Sequence, residues 1–157
     1  MEGIISQEEQ KQLGAIIVNI AKREKLNLKS IKFCAFWKGT KRRMGVCVHH
    51  KKLDTYAIRL HTIKATFVED VNGRYKSKDG KSWNRKTLGT PIQFEEIVKT
   101  AAHELAHIRY FQHNLKHKIY TNDILEMLIS ELGELWYKKV IQSTDTLMTA
   151  TLLEQEQ

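Results

Sequence analysis

The segment His-Glu-Leu-Ala-His at residues 103–107 constrains this chain more than any other part of its sequence. An α-helix turns once in about 3.6 residues, so on a helix His103 and His107 lie on one face and can reach a single ion. Glu104 is displaced around the helix, where it can contact a water more easily than it can become a third ligand. The motif therefore predicts two zinc ligands and a general base. A bare match also arises by chance, so the surrounding sequence has to decide.

The residues before this motif predict the helix itself. Thr90 is typical of an N-cap, Pro91 of the first helical position and Gln93 of a capping box. We therefore expect a helix over residues 91–111. Apolar residues recur along it at helical spacing and form a face that can be buried, namely Ile92, Phe94, Ile97, Val98, Ala101, Leu105 and Ile108.

A catalytic zinc takes three protein ligands and keeps a fourth position open, so a third ligand is needed. We expect His113 in this role, because it follows His107 after five intervening residues, where the chain can turn back. His117 is the competing histidine, four residues further on. A different architecture would recruit a carboxylate from the next helix, Glu126 or Glu131. A solvent-exposed basic loop, with histidines that bind nothing, is the remaining alternative.

This pattern resembles the SprT-like, WLM and YgjP-like group of small zincin metallopeptidases. His103, Glu104, His107 and His113 match the HELxH motif and the third histidine of that group. An aromatic residue usually follows the third histidine, whereas this chain has His117 four residues after it. The resemblance implies a zinc-dependent endopeptidase fold with one zinc per chain. Some members of the group act on proteins that are bound or crosslinked to DNA.

The remaining sequence predicts a small α+β domain. Helical spacing of apolar residues indicates an amphipathic first helix over residues 7–24 and a last one over residues 121–140. Runs rich in β-branched and aromatic residues predict strands over residues 31–37, 44–50 and 55–61. We therefore expect a zincin-like domain with an N-terminal helix, a twisted sheet of three to four strands, the HExxH helix and a C-terminal helix.

The predicted strand 55–61 is a candidate for holding a substrate. Apolar and polar residues alternate along it, so one of its faces should be buried. A sheet edge beside a zincin cleft can hold an extended peptide by main-chain pairing, and this strand is our candidate for that edge. An ordinary sheet strand is the alternative.

Length and composition indicate a single domain. With 157 residues and 41% apolar residues, the chain can form one domain over residues 1–141, with a basic hairpin or loop insertion at 62–90 and a flexible tail at 142–157. No apolar run is long enough to span a membrane, and the first residues do not look like a signal peptide, so we expect a cytoplasmic protein without a membrane partner. Cys34 and Cys47 fit no zinc-ribbon spacing. Reduced thiols are expected, with a disulfide between neighbouring strands as the alternative.

Positive charge is concentrated in the middle of the chain. Residues 22–90 hold 19 Lys and Arg against 5 Asp and Glu, whereas the remaining residues hold 7 against 13. Cations interleaved with aromatic residues are expected for contacts with phosphates and stacked bases. The candidate nucleic-acid-binding residues are Lys41, Arg42, Arg43, Lys76, Lys78, Lys81, Trp83, Arg85 and Lys86. DNA is therefore a candidate partner, and a solvated basic face is the alternative.

Taken together, these features predict a zinc-dependent peptidase that acts on a protein or peptide substrate. Zinc lowers the pKa of a bound water from about 15.7 to about 7, and Glu104 would take its proton and pass it to the leaving amine. Tyr110, Tyr120 and Arg109 are candidates for stabilising the oxyanion. The alternatives are a nucleic-acid-binding module with structural zinc or none, and a compact gluzincin-type peptidase with a glutamate as third ligand.

Overall fold

A computed structural model describes residues 5–34, 44–65 and 89–142 of the chain. These residues form the predicted α+β fold. The elements follow in the order α1 (Gln7–Arg23), β1 (Leu28–Cys34), β2 (Gly45–His50), β3 (Thr55–His61), β4 (Ile63–Ala65), β5 (Gly89–Pro91), α2 (Phe94–Arg109), α3 (Leu115–Leu132), α4 (Glu134–Trp136) and a π-helical segment, Tyr137–Gln142. None of the described helices has the combination of length and apolar composition that crossing a bilayer requires.

Helix α1 begins with a capping box. The Ser6 hydroxyl accepts a hydrogen bond from the Glu9 main-chain N–H at 3.2 Å, and the Glu9 carboxylate accepts one from the Ser6 N–H at 2.9 Å. The predicted helix over residues 7–24 is thus confirmed to within one residue at its end. Its buried face consists of Leu13, Ile17, Ile20 and Ala21.

The three-stranded sheet has the order β1-β3-β2, with β3 parallel to β1 and antiparallel to β2. The predicted strand 55–61 is confirmed with its bounds as β3, and Ile58 and Leu60 are buried on its inner face. Our assignment of this strand as a substrate-binding edge is wrong. Both of its edges are occupied by neighbouring strands, so its main chain has no free edge to offer a peptide. Within the described sheet, β2 is an outer strand.

Strand β2 lies closely against α2. A Cβ atom at Gly45 would lie 2.6 Å from Cγ2 of Thr100 on α2 and 3.2 Å from the main-chain oxygen of Arg59. Glycine therefore permits an approach of strand to helix that any larger residue would prevent. Because side chains alternate along a strand, Cys47 lies on the same face of β2 as Gly45, the face directed at α2.

The segment before α2 is extended, which corrects our prediction of a helix that begins at Pro91 with Thr90 as its N-cap. Strand β5 pairs antiparallel with β4, with Thr90 opposite Lys64, and Pro91 lies in the strand. Helix α2 begins at Phe94, and Gln93 occupies the N-cap without a side-chain hydrogen bond. Main-chain pairing holds these residues extended in spite of their helix-starting composition. Residues 66–88, most of the predicted insertion, lie outside the described part of the chain.

The C-terminal helix begins six residues earlier than predicted and is interrupted. The Asn114 side chain accepts a hydrogen bond from the main-chain N–H of His117 at 2.9 Å, so α3 starts at Leu115 rather than at residue 121. Gly133 has a φ of 54° and ends α3, because glycine adopts this left-handed region without strain. Of the predicted tail, 142–157, only Gln142 belongs to the described residues.

The two cysteines are free, as expected, and half-buried. Cys34 lies opposite His61 of β3, and Cys47 lies opposite Ile58 of the same strand. Since β3 separates β1 from β2, the cysteine backbones are about 9–10 Å apart or more, beyond the limit of about 7 Å for a disulfide. The alternative of a disulfide between neighbouring strands is therefore wrong.

Candidate metal centre

Four histidines meet where α2, α3 and their connection come together. His103 and His107 lie on α2, His113 lies in the connection, and His117 lies in the first turn of α3. The ring centroids of all six pairs are between 4.2 and 5.3 Å apart. We refer to these four side chains as the histidine cluster. The prediction that both motif histidines share one helix face is confirmed.

The ring nitrogens within this cluster are close enough to share an ion. Nε2 of His103 lies 3.1 Å from Nε2 of His107 and 3.1 Å from Nε2 of His113. The ligand nitrogens of His103, His107 and His117 all lie within 4.8 Å of one another, close enough to bind a metal ion. Both histidines considered for the third position, His113 and His117, are therefore at the site.

The end of α2 orients His107. Helix α2 ends at Arg109, and the main-chain carbonyl of Tyr110 accepts a hydrogen bond from Nδ1 of His107 at 3.3 Å. A carbonyl oxygen can only accept, so the ring proton of neutral His107 is on Nδ1 and the lone pair is on Nε2. This is the usual support for a metal-binding histidine, whose second nitrogen is held by a neighbouring acceptor.

The two remaining histidines differ in their environment. His117 is only 3% exposed, whereas His113 is exposed to solvent. Nε2 of His117 donates to the main-chain carbonyl of His103 at 3.1 Å, and its ring stacks on that of His107 with a centroid separation of 4.2 Å. His117 therefore approaches the cluster from the protein interior and His113 from the solvent side.

The electrostatic environment favours neutral imidazoles. Burial is the main cause of a lowered pKa of His103, to about 4, and the neighbouring His107, His117 and His113 lower it further. Burial also lowers the pKa of His107, again with contributions from His117 and His113. At neutral pH both rings therefore lack a second proton, and a neutral imidazole is the form that binds a metal ion.

Glu104 lies beside the cluster on the side of α2 that faces β2. Its side chain is buried, with 7% exposed. Its negative charge adds to the effect of burial in raising the pKa of Cys47 to about 12, so the thiol is neutral. Sequence reasoning missed the electrostatic influence of Glu104 on Cys47, because it depends on the docking of β2 on α2 and no sequence spacing indicates that docking.

The carboxylates proposed for a gluzincin arrangement lie elsewhere. Glu131 pairs with Arg23 of α1 at 2.9 Å. Glu126 follows His117 by nine residues, which at about 100° per residue places it on the opposite face of α3. Both carboxylates border a cleft between α1 and α3. The described residues therefore do not form the gluzincin site.

Two of the three candidates for stabilising an oxyanion are engaged away from the cluster. The Tyr120 hydroxyl donates to the Glu24 carboxylate at 2.9 Å, and the Arg109 guanidinium donates to the Glu24 main-chain oxygen at 2.6 Å. The guanidinium also lies over the Tyr120 ring, 4.4 Å from its centroid. We refer to Glu24, Arg109 and Tyr120 as the Glu24 cluster. Tyr110 contacts this cluster through a ring separation of 5.8 Å from Tyr120.

The nine candidate nucleic-acid-binding residues all lie in 35–43 and 66–88, outside the described part of the chain. Their interpretation therefore stays a prediction. Among the other histidines, Nε2 of His49 lies 2.9 Å from the Asp54 carboxylate, and its ring stacks on Tyr56.

No protein-family model matches the chain, and neither a curated protein nor a solved structure matches it.

Proposed function

We propose that this chain is a zinc-dependent metallopeptidase, as its resemblance to SprT-like zincins implies, with zinc held by His103, His107 and His113 and with Glu104 as general base. The observation that carries the proposal is that Nε2 of His103 lies 3.1 Å from Nε2 of His107 and 3.1 Å from Nε2 of His113, next to a buried glutamate on the same helix. Peptide hydrolysis is the reaction for which two motif histidines, a third histidine and the intervening glutamate are best suited.

The donor atoms fit zinc. Nitrogen ligands lie about 2.0–2.1 Å from a tetrahedral zinc, which puts neighbouring ligands about 3.3 Å apart. The two Nε2–Nε2 separations from His103 are each 3.1 Å, close to that value. The set contains imidazoles and lacks the several oxygen ligands that calcium or magnesium would require.

His113 is the third ligand in this proposal because it offers the same atom, Nε2, at the same distance from His103 as His107 does. It also approaches from the solvent side, so the zinc would lie next to the surface that a substrate can reach. Nε2 of His117 is occupied by the His103 carbonyl, which removes that atom from competition for the ion.

Zinc in such a site acts as a Lewis acid, which acidifies water and polarises a peptide carbonyl. Glu104 accepts the proton of the attacking water on its carboxylate and delivers it to the leaving amine. The neutral thiol of Cys47 beside it adds no charge that would compete with this carboxylate for the proton.

The outer strand β2 supports an extended peptide as the substrate. It lies against α2, and its Cys47 is close enough to Glu104 for the carboxylate to raise the pKa of the thiol. A peptide that pairs with the outer edge of β2 would run past the general base, with main-chain hydrogen bonds supplying affinity and side-chain pockets supplying specificity. We therefore assign the binding of an extended peptide to β2 instead of to strand 55–61. Action on DNA-associated proteins rests on the charge distribution and the resemblance alone.

Replacing Glu104 by Gln tests the proposal. The amide keeps the shape of the side chain but cannot accept the proton, so turnover of an unfolded protein substrate should fall by about 10²–10⁴-fold, while zinc stoichiometry stays unchanged. The matched control is Glu126→Gln, the same change on the opposite face of α3, which should leave both quantities unchanged. Cleavage by the Glu104 variant at the wild-type rate would refute the role of Glu104. Assays with and without single-stranded DNA test the DNA component.

A further inference from the structure

His117 is a fourth imidazole at the metal centre that the proposed zinc triad leaves unused. It is 3% exposed and donates from Nε2 to the carbonyl of His103 at 3.1 Å. Because a carbonyl oxygen only accepts, Nε2 carries the proton of the neutral ring, and Nδ1 keeps its lone pair. This buried side chain therefore retains a ring nitrogen with a lone pair that can bind a metal ion.

The position of that ring is suited to an ion shared with the other histidines. The ligand nitrogens of His117, His103 and His107 lie within 4.8 Å of one another. The rings of His117 and His113 meet edge to face, with centroids 5.3 Å apart and an interplanar angle of 85°, so they do not block each other. Four imidazoles around a tetrahedral zinc would have centroids about 5 Å apart, as deduced from the zinc–nitrogen distance.

Helix α3 holds His117 in place. The Asn114 side chain caps the helix by accepting from the main-chain N–H of His117 at 2.9 Å, and the Thr121 hydroxyl donates to the carbonyl of His117 at 2.8 Å. The backbone of His117 is thus anchored on both sides, whereas His113 lies in the connection between the helices. The backbone contacts therefore fix His117 next to His103 and His107.

We propose that His117 is a fourth, exchangeable ligand that closes the metal site, so that the ion is held by His103, His107, His113 and His117 until substrate displaces His117. The inference deepens the proposed function and rests on it for the identity of the reaction. Four protein ligands leave no open position, as in structural zinc sites, whereas three leave one for catalysis. His117 thus keeps the peptidase in a closed resting form.

The hydrogen bond from His117 to the His103 carbonyl lowers the free-energy cost of displacing His117 from the ion. When Nδ1 leaves the ion, Nε2 of His117 can still donate to the carbonyl of His103, so the ring remains buried with a partner for its proton. A histidine without such a second partner would lose its only polar contact on displacement. The same bond explains why the tautomer needed for coordination is present before the ion binds.

The test uses the full chain loaded with Co²⁺ in place of zinc, titrated with acetohydroxamate while the visible absorption of the cobalt is recorded. Acetohydroxamate needs an open coordination position. The variants are His117→Phe, which fills the buried space, and His117→Gln, which retains an amide donor if the Phe variant does not fold. His50→Phe, the same change on an exposed strand residue, is the control.

Both His117 variants should bind acetohydroxamate at least about tenfold more tightly than the wild type and the His50 variant, because no internal ligand has to be displaced. Cobalt affinity alone does not discriminate, since loss of a residue that only supports a ligand also lowers metal affinity. Equal acetohydroxamate affinity in all four proteins overturns the inference and leaves His117 a packing residue.

Failure of the proposed function is recognised separately. If the wild type binds no cobalt, both the metal centre and the role of His117 are wrong. If cobalt binds and the His117 variants gain acetohydroxamate affinity, but neither wild type nor variants hydrolyse protein, the fourth ligand is supported and only the peptidase assignment fails. If instead a His113→Phe variant gains affinity and the His117 variants do not, the exchangeable ligand is His113, and the inference is overturned.

Discussion

The histidine cluster and the Glu24 cluster both include residues of α2 and α3, but they satisfy their polar atoms in different ways. In the Glu24 cluster an anionic carboxylate, a cationic guanidinium and a phenol complement each other through hydrogen bonds and a cation–π contact. The histidine cluster instead places four groups of the same kind together. Burial and their mutual repulsion when protonated lower the pKa of His103 and His107.

The difference shows which cluster would be stabilised by a bound cation. Opposite charges and matched hydrogen-bond donors stabilise the Glu24 cluster without any ligand. This cluster therefore connects the end of α1 to helices α2 and α3. Several neutral imidazoles with converging lone pairs gain little from one another, and a cation is the partner that would satisfy them together. His107 and Arg109 are two positions apart in the last turn of α2 and therefore point to different sides of it, so the two roles are divided between two faces of one helix.

The largest effect should follow from removing a histidine of the motif. His107→Ala deletes a ligand, and the protein should retain no stoichiometric zinc after dialysis, whereas the wild type retains one zinc per chain. Arg109→Gln, in the Glu24 cluster, should keep the metal. Elemental analysis of untagged protein measures both. Full zinc retention by the His107 variant would mean that the histidine cluster is not the metal site.

A smaller effect should follow in the Glu24 cluster. Tyr120→Phe removes the hydrogen bond to Glu24 and should lower the free energy of unfolding by about 0.5–1.5 kcal/mol, without changing zinc stoichiometry. Tyr137→Phe is the matched control, because Tyr137 is 53% exposed, and should have a negligible effect. Urea denaturation of chelated protein gives both values. Loss of zinc from the Tyr120 variant would show that metal binding by the histidine cluster depends on the Glu24 cluster.

A further effect concerns pH. The folded pKa of His103 is about 4, below its ordinary value of 6.5, so between these values the unfolded chain binds more protons than the folded one. The free energy of unfolding of chelated protein should therefore be independent of this group above about pH 6.5 and decrease as pH falls towards 4. Urea denaturation at about pH 7.5 and about pH 5 should show a smaller decrease for His103→Asn than for the wild type. An equal decrease in both proteins would exclude His103 as its source.

Several features of this protein follow from short stretches of sequence. His103 and His107 share a face because of the period of the helix, and the Ser6–Glu9 capping box starts α1 through contacts three residues apart. The alternation along β3 likewise places Ile58 and Leu60 on the buried face. These features depend on interactions between near neighbours in the chain, which the sequence displays directly.

Other features arise only when distant segments meet. Pro91 lies in a strand because β4 pairs with its segment, and β3 is central rather than at the edge because β1 and β2 both pair with it. The close approach of β2 to α2 brings Cys47 within the electrostatic influence of Glu104. His117 reaches the metal centre because α3 starts at the Asn114 cap.

The order of strands and the docking of helices are set by long-range packing, to which every buried side chain contributes. For that reason the helix motif, its two histidines and its glutamate could be identified from the sequence. That His113 and His117 both join the histidine cluster, and that β2 packs on the Glu104 side of α2, could be decided only by the tertiary structure.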